Sequence, residues 1–348
     1  YKIPYSFHTI SINFRTISVN FRTVFTERGD NSLDRLQDSI IVVGDGRNGA
    51  DIMSILASKG LQNQQVAFLH LDPARPRNSR AHALSEMAPR LDEVFAGWKP
   101  YLAVGKTGPA ILLDLSPRLS ASQMLEVEGL VEEFWPNSNK TWTWTSRGRG
   151  RVDRLALWVG LIAEQNKIRR FVRIPPDPTS PPFIMLGGAP ITAVDEASRK
   201  QRVTAQRGNY ASIIDSALVE SGLADDWLET LSFGADYAWA EAKGRRPVIY
   251  HSKPIANMPR EVNSLVVTTG RIIDLINIEL TIETVDNFVE ICLEHDINKL
   301  TIRAGLDPDI QPKLQGSLDR QLARRHGSRK AFLLRNPHEE NYLLCVTN

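Results

Sequence analysis

Gly44-Asp45-Gly46-Arg47-Asn48-Gly49 sets three glycines at G-x-G-x-x-G spacing directly after the apolar run Ile40-Ile41-Val42-Val43. The first glycine suits a tight turn. The second leaves room for a ligand to approach the main chain, and the third lets a following helix sit close to the strand. Ile52, Ile55 and Leu56 then recur at helical spacing, and Lys59-Gly60 reads as a helix end. The N-terminus of such a helix offers unpaired N–H groups and a partial positive charge to an anion. A second apolar run, Val66 to Leu71, stops at Asp72, where a carboxylate can accept hydrogen bonds from a ribose diol. Asp114 closes a third buried run, Ala110 to Leu113, and is followed by Leu115-Ser116-Pro117. An acid at the carboxyl end of a strand faces the same crevice as the glycine turn if the strands are parallel. Gly44, Asp45, Gly46, Gly49 and Asp72 are therefore the candidate ligand-binding set, and Asp114 is the candidate catalytic acid.

A second constellation is Thr141-Trp142-Thr143-Trp144-Thr145, followed by Ser146-Arg147-Gly148-Arg149-Gly150-Arg151. Alternation puts both tryptophans on one face of a strand. Aromatic faces beside flexible arginines suit single-stranded nucleic acid, because bases stack on rings and guanidinium groups meet phosphates. Two core tryptophans and a solvated loop are the competing reading. The remaining chemistry is sparse. The seven histidines are scattered, and no H-x-x-H or Cys/His spacing supports a metal site. G-x-S-x-G is absent, and Gly105-Lys106-Thr107 lacks the upstream glycine of a phosphate loop because position 100 is Pro.

The elements that must position these groups form a strand, glycine turn, helix, strand, acid series, the opening unit of a Rossmann-like nucleotide site. The expected fold is α/β: a mostly parallel Rossmann-like sheet with helices on both faces, spanning 38–186. A C-terminal α+β region spans 187–348, and an N-terminal strand arm spans 1–37. In the arm, Thr9-Ile-Ser-Ile-Asn-Phe-Arg15 repeats as Thr16-Ile-Ser-Val-Asn-Phe-Arg22. It reads either as local strands or as an arm that joins a second copy's sheet in a homo-oligomer. Ser120 with Gln123 is a capping box for a helix near 120–134, whose acidic residues Glu126, Glu128, Glu132 and Glu133 read as a solvated face. Residues 152–165 and 195–233 read as helical. Pro175 to Pro182 reads as a linker, or as a loop between two strands of one sheet. Thr268-Thr269-Gly270-Arg271 reads as a turn, and the C-terminus as a hairpin about Asn336-Pro337.

The chain has 348 residues, with 42 Lys and Arg against 40 Asp and Glu. That near-balance neither demands nor excludes a nucleic-acid partner. Cys292 and Cys345 lie far apart and form no disulfide framework, which points to a reducing compartment. No apolar run reaches membrane-spanning length. A cytoplasmic location is expected, or a virion-associated one for a viral protein.

Two ligand types suit the opening unit: a dinucleotide, NAD or FAD, and S-adenosylmethionine. A hydride-transfer enzyme brings a His, Lys or Tyr proton donor to the nicotinamide, and no such donor stands in a recognisable motif. Gly44 to Gly49, Asp72 and Asp114-Leu115-Ser116-Pro117 resemble the first, second and fourth motifs of the Rossmann-like methyltransferase superfamily. The last is similar to that of RNA ribose methyltransferases, and the glycine turn also resembles methyltransferase regions of RNA-virus capping proteins. The resemblance covers residues 38–118. It implies S-adenosylmethionine as cofactor, RNA or another nucleic acid as partner, and Asp114 as the aspartate of a lysine–aspartate–lysine–glutamate tetrad. Lys167 is the candidate second lysine and Lys2 a candidate first; no residue is assigned as the glutamate. Two further readings stand beside it: a non-catalytic structural or assembly protein with a Rossmann-like core, and an NAD- or FAD-dependent oxidoreductase.

Overall fold

The computed structural model describes residues 40–44, 66–72, 90–148, 150–192, 205–231, 237–241, 246–255, 264–337 and 339–347. The repeated arm, the segment from Asp45 to Gly60 with its glycine turn and expected helix, and residues 73–89 lie outside them. The described residues form two compact units. The first holds those of Tyr1–Thr145, Asp153–Val172 and Ile184–Asp195; the second holds those of Ser146–Val152, Arg173–Phe183 and Glu196–Asn348.

In the first unit the chain forms β1 (Ile40–Gly44), β2 (Val66–Leu71), α1 (Leu91–Trp98), a small hairpin of β3 (Val104–Gly105) and β4 (Gly108–Pro109), β5 (Ile111–Leu115) and α2 (Ala121–Phe134). Then come β6 (Lys140–Ser146), β7 (Arg154–Val159), a 3-10 turn at Gly160–Ile162, β8 (Arg169–Arg173) and β9 (Phe183–Gly187). The large sheet has the order β1-β2-β5-β7-β6-β8-β9. β1, β2 and β5 are parallel, whereas β7 runs antiparallel to both β5 and β6. The Trp142 N–H bonds the Ile168 carbonyl, and one step further Arg170 bonds Thr143, so β8 runs parallel to β6.

This α/β sheet is therefore mixed: the expected parallel pairing is found for β1, β2 and β5, and β7 interrupts it. Residues 154–159, expected within a helix, are the strand that reverses it. Leu155 to Val159 are all buried, Leu157 and Val159 completely. A segment covered on both faces has no amphipathic period to betray its type. Pro175 to Pro182 joins β8 to β9, which are neighbours in one sheet, so the loop reading holds and the linker reading does not.

The pleat sorts side chains onto two faces. One carries Leu69, Leu71, Leu113, Leu115, Leu155 and Leu157 with Trp142 and Trp144. α2 reaches that face, and α1 packs against α2 through edge-on contacts of Phe95 with Phe134 and Trp135, centroids 5.7 and 5.1 Å apart. In α1 the buried residues Leu91, Val94, Phe95 and Trp98 follow the helical period. α2 begins at the expected capping box: Ser120 accepts from the Gln123 N–H, and Gln123 accepts from the Ser120 N–H. The other face has an apolar floor of Phe68, Leu112, Ala156, Trp158 and Ile162.

The second unit contains β10 (Tyr210–Ile214), α3 (Ser216–Glu220), α4 (Ala224–Glu229), β11 (Tyr237–Glu241), β12 (Val248–His251) and β13 (Val266–Ile276). It ends with α5 (Val285–Glu294), β14 (Ile297–Ile302), α6 (Gln311–Leu322), β15 (Arg329–Arg335) and β16 (Tyr342–Thr347). Its sheet order is β11-β12-β10-β13-β16-β15-β14, antiparallel except for the β14–β15 pair. Phe288, Cys292, Leu314 and Leu318 of the helices cover one face, and Ile213, Tyr250, Ile272, Phe332 and Cys345 fill the other. The C-terminal hairpin forms as expected. Two expectations are corrected. Ile213 and Ile214, read as helical, lie in β10, and the supposed turn at Thr268–Arg271 is the middle of the eleven-residue strand β13. Gly270 is there for closeness: a Cβ on it would stand 2.7 Å from the Val346 carbonyl oxygen and 2.8 Å from the Phe332 ring.

Candidate functional site

β1, β2 and β5 all end at the same edge of the first unit's sheet. Gly44 closes β1 and pairs in register with Leu71, and half-buried Asp72 follows one residue beyond that pair. The main chain at the start of the glycine turn and the acid thus stand one strand spacing apart, about 4.8 Å. Asp45, Gly46 and Gly49 lie outside the described residues.

One strand further, Asp114 sits near the end of β5 and is 3% exposed. Its two oxygens are turned to opposite neighbours. His70, on β2, meets Oδ2 through Nε2 at 2.8 Å, and Arg154, at the start of β7, meets Oδ1 through Nε at 3.2 Å. An ionised carboxylate only accepts, so His70 Nε2 carries the proton in this bond. Three adjacent strands therefore contribute one residue each to a His70–Asp114–Arg154 row. The row continues the apolar floor of Phe68, Leu112 and Ala156 toward the strand ends, because strand alternation keeps residues two apart on one face. Asp72 is next in the alternation Phe68, His70. Arg154 reaches this edge only because β7 runs backwards and begins where β5 ends.

Asp114 is thus a buried anchor whose oxygens are engaged by two side chains. Lys167 does not join it. Lys167 is exposed just before β8, and its carbonyl accepts from Thr141 Oγ1 at 2.7 Å. Thr141 lies level with Trp158 and hence with Leu112, not with Asp114. β8 is three places from β5 in the sheet, about 14 Å at ~4.8 Å per strand. A lysine–aspartate pair of the tetrad kind is not assembled from these two residues.

The tryptophans are core residues. Trp142 is fully buried and Trp144 is 4% exposed, so neither offers a ring face to a base. The Trp142 indole N–H donates to Glu128 of α2 at 2.7 Å, so one member of the supposedly solvated acidic face is spent inward. Arg147 and Arg151 are exposed, and Arg149 lies outside the described residues. A cation that does meet a tryptophan ring is Arg170, whose guanidinium sits 4.2 Å from the Trp158 centroid while bonding Thr143 and pairing with Glu164.

His70 and Arg154 were not singled out in the sequence. His70 carried a signal, a polar residue two before Asp72 in an otherwise apolar strand. Arg154 did not, because its segment read as a helix. Among the described residues no helix is long and apolar enough to cross a membrane.

No family model matches this sequence, and no curated protein matches it. Among solved structures, one similar chain is a "putative methyltransferase" from Porphyromonas gingivalis W83, with 14% identity and a TM-score of 0.49. The match covers 86% of this chain and 62% of that one, so this chain spans less than two thirds of its neighbour's length. At that score and identity the likeness fixes neither fold nor activity.

Proposed function

We propose that this protein is an S-adenosylmethionine-dependent methyltransferase that acts on nucleic acid, with RNA as the acceptor class. The observation that carries the cofactor is the sheet itself. A dinucleotide site is built from two parallel mononucleotide-binding halves, one on each side of the switch point. Here β1, β2 and β5 supply one parallel half, with Gly44 and Asp72 side by side at its carboxyl edge. In the dinucleotide order the second half joins beside the strand that carries the glycine turn; among the described residues β1 is the edge strand of this sheet, and at the other side of the parallel trio β7 runs antiparallel. One half suits a ligand with one nucleoside, which S-adenosylmethionine has and NAD and FAD exceed.

In this reading Gly44, Asp45, Gly46 and Gly49 hold the amino-acid part of the ligand and Asp72 its ribose. The bound cofactor supplies an electrophilic methyl group. The chain's own contribution is alignment: it holds the acceptor in line with that group over the strand ends, which is where most of the rate gain of such a transfer can come from. Asp114 fixes the polar row that borders the acceptor. Lys167 is left without a catalytic part. The nucleic-acid acceptor draws support from the arginine at the sheet edge.

Isothermal calorimetry of the purified chain with S-adenosylmethionine, NADH and FAD tests this. Heat of binding with the first alone, lost in Asp72→Ala, is expected. Heat with NADH or FAD, or none with S-adenosylmethionine, overturns the reading.

A further inference from the structure

We infer that Arg154 is a phosphate-binding residue on the acceptor side of the site, held in place by Asp114 and, through Asp114, by His70. The inference rests on the methyltransferase reading for what the phosphate belongs to, a nucleic-acid backbone, but the geometry that carries it is independent of the cofactor. Arg154 commits only Nε to Asp114, at 3.2 Å, and among the described residues Asp114 is its ion-pair partner. Its side chain is 31% exposed, whereas Asp114 beneath it is 5% exposed. The guanidinium is therefore ion-paired on its inner side and open to solvent at its outer edge. A planar fork with two outward N–H groups matches two oxygens of a phosphate.

The buried carboxylate does more than neutralise. Its charge keeps the guanidinium beside it as an ion pair, without hydrogen-bond geometry at Oδ1, so part of the side-chain freedom is already spent before an anion binds. His70 in turn donates to the other carboxylate oxygen at 2.8 Å, so the carboxylate cannot swing away from Arg154 without breaking that hydrogen bond. Asp114 and His70 are positioning residues for Arg154, and none of the three needs to touch the methyl group.

Position distinguishes this anion from the carboxylate of the methyl donor. That carboxylate belongs near the glycine turn after β1. Arg154 starts β7, three places along the sheet from β1, about 14 Å at ~4.8 Å per strand. The nearer acid of the strand edge, Asp72, is two places away and repels a phosphate from the donor side rather than from Arg154.

The test compares wild type with Arg154→Gln and Arg154→Lys in two titrations. One is calorimetry with S-adenosylmethionine; the other is fluorescence anisotropy with a short labelled oligouridylate over a range of potassium chloride. Expected is about a tenfold loss of oligouridylate affinity in Arg154→Gln, with the salt slope lowered by about 0.7. Arg154→Lys is expected to keep the slope and recover part of the affinity, because it keeps the charge but not the fork. Affinity for S-adenosylmethionine is expected to stay unchanged. Asp114→Asn is expected to weaken oligouridylate binding with the slope intact, since the charge remains and only its placement is lost. The inference is overturned if wild type does not bind the oligouridylate, if Arg154→Gln leaves affinity and slope as they were, or if the loss falls on S-adenosylmethionine instead. A wild type that binds the oligouridylate with the expected slope change but takes no S-adenosylmethionine removes the methyltransferase reading and leaves the phosphate site standing.

Discussion

The Trp142 indole N–H donates to Glu128 Oε1 across 2.7 Å and ties α2 to the middle of the first unit's sheet. The ring itself is fully buried, so its N–H has no water to fall back on. Removing the acceptor in Glu128→Ala leaves that donor unsatisfied, a cost of about 1–3 kcal/mol. Glu126 lies on the same helix but is exposed, so Glu126→Ala is expected to change stability by less than about 0.5 kcal/mol. Urea unfolding followed by circular dichroism separates the two variants. Equal midpoints would show that the Trp142 bond contributes nothing.

Asp72 and Asp114 look alike in sequence, each an acid ending an apolar strand, and the structure divides them. Asp72 is half-buried at the strand tip, whereas Asp114 is buried between His70 and Arg154. Asp72→Ala is expected to lower S-adenosylmethionine affinity at least tenfold while the thermal midpoint stays put. Asp114→Ala is expected to lower the midpoint, because it strips two partners of a buried carboxylate, at a cost of about 1–3 kcal/mol. Thermal melts with and without S-adenosylmethionine read both effects. A midpoint loss in Asp72→Ala and none in Asp114→Ala would reverse the assignment.

That division marks how far the sequence carries. Gly44, Asp72 and the run ending at Asp114 were legible because strand, turn and acid follow one another within short range, and parallel pairing of their strands puts the two acids at one edge. The capping box at Ser120 and the terminal hairpin were legible for the same local reason. What was not legible depends on partners far along the chain. Leu155 to Val159 carries no period because both faces are covered, so β7 and the reversal that brings Arg154 to Asp114 stayed hidden. Trp142 and Trp144 alternate with threonine whether the ring side meets a nucleic acid or α2, and only burial decides between them. Thr268 to Arg271 has turn composition, yet Gly270 serves close packing against Val346 and Phe332 inside a strand.

Gly270 gives a sharp steric prediction. Its backbone is ordinary extended strand, so alanine is not strained by conformation there. The added Cβ would instead stand 2.7 Å from the Val346 oxygen and 2.8 Å from Phe332 Cε1, closer than real contacts allow. Gly148 is the opposite kind of case. Its φ is +73°, and a Cβ would fall 2.0 Å from Arg173 Nη2, the end of a flexible side chain that is itself 9% exposed. Gly270→Ala is expected to destabilise by about 1–3 kcal/mol through overpacking between strands. Gly148→Ala is expected to cost about 1–2 kcal/mol from the left-handed backbone alone. Denaturation midpoints check both, and wild-type stability in Gly270→Ala would mean that β13 and β16 can part without cost.

Asp215 gives the pH prediction. It is 2% exposed at the start of α3, where Oδ1 accepts the Ala217 N–H at 2.9 Å and Oδ2 accepts the Ser146 hydroxyl at 2.5 Å. Arg173 Nη1 lies 3.5 Å from Oδ2. Burial pushes this carboxyl up from 3.8, and the Ser146 bond and the Arg173 charge only partly offset it. Burial and the Asp215 charge also push Glu220 up, but Glu220 is exposed on α3 and solvent weakens that coupling. A carboxyl whose pKa is raised by folding holds more protons in the native than in the unfolded chain, so its contribution to stability falls as pH rises. The contribution is complete below 3.8 and is lost as pH climbs through the raised native value. Asp215→Asn keeps the shape and one acceptor but does not titrate. The stability of wild type minus that of Asp215→Asn, taken from urea unfolding between about pH 4 and 7, is therefore expected to decrease with pH. An increase over that range would mean that the Arg173 charge outweighs burial, and that the carboxylate, not the acid, is the form the second unit is built around.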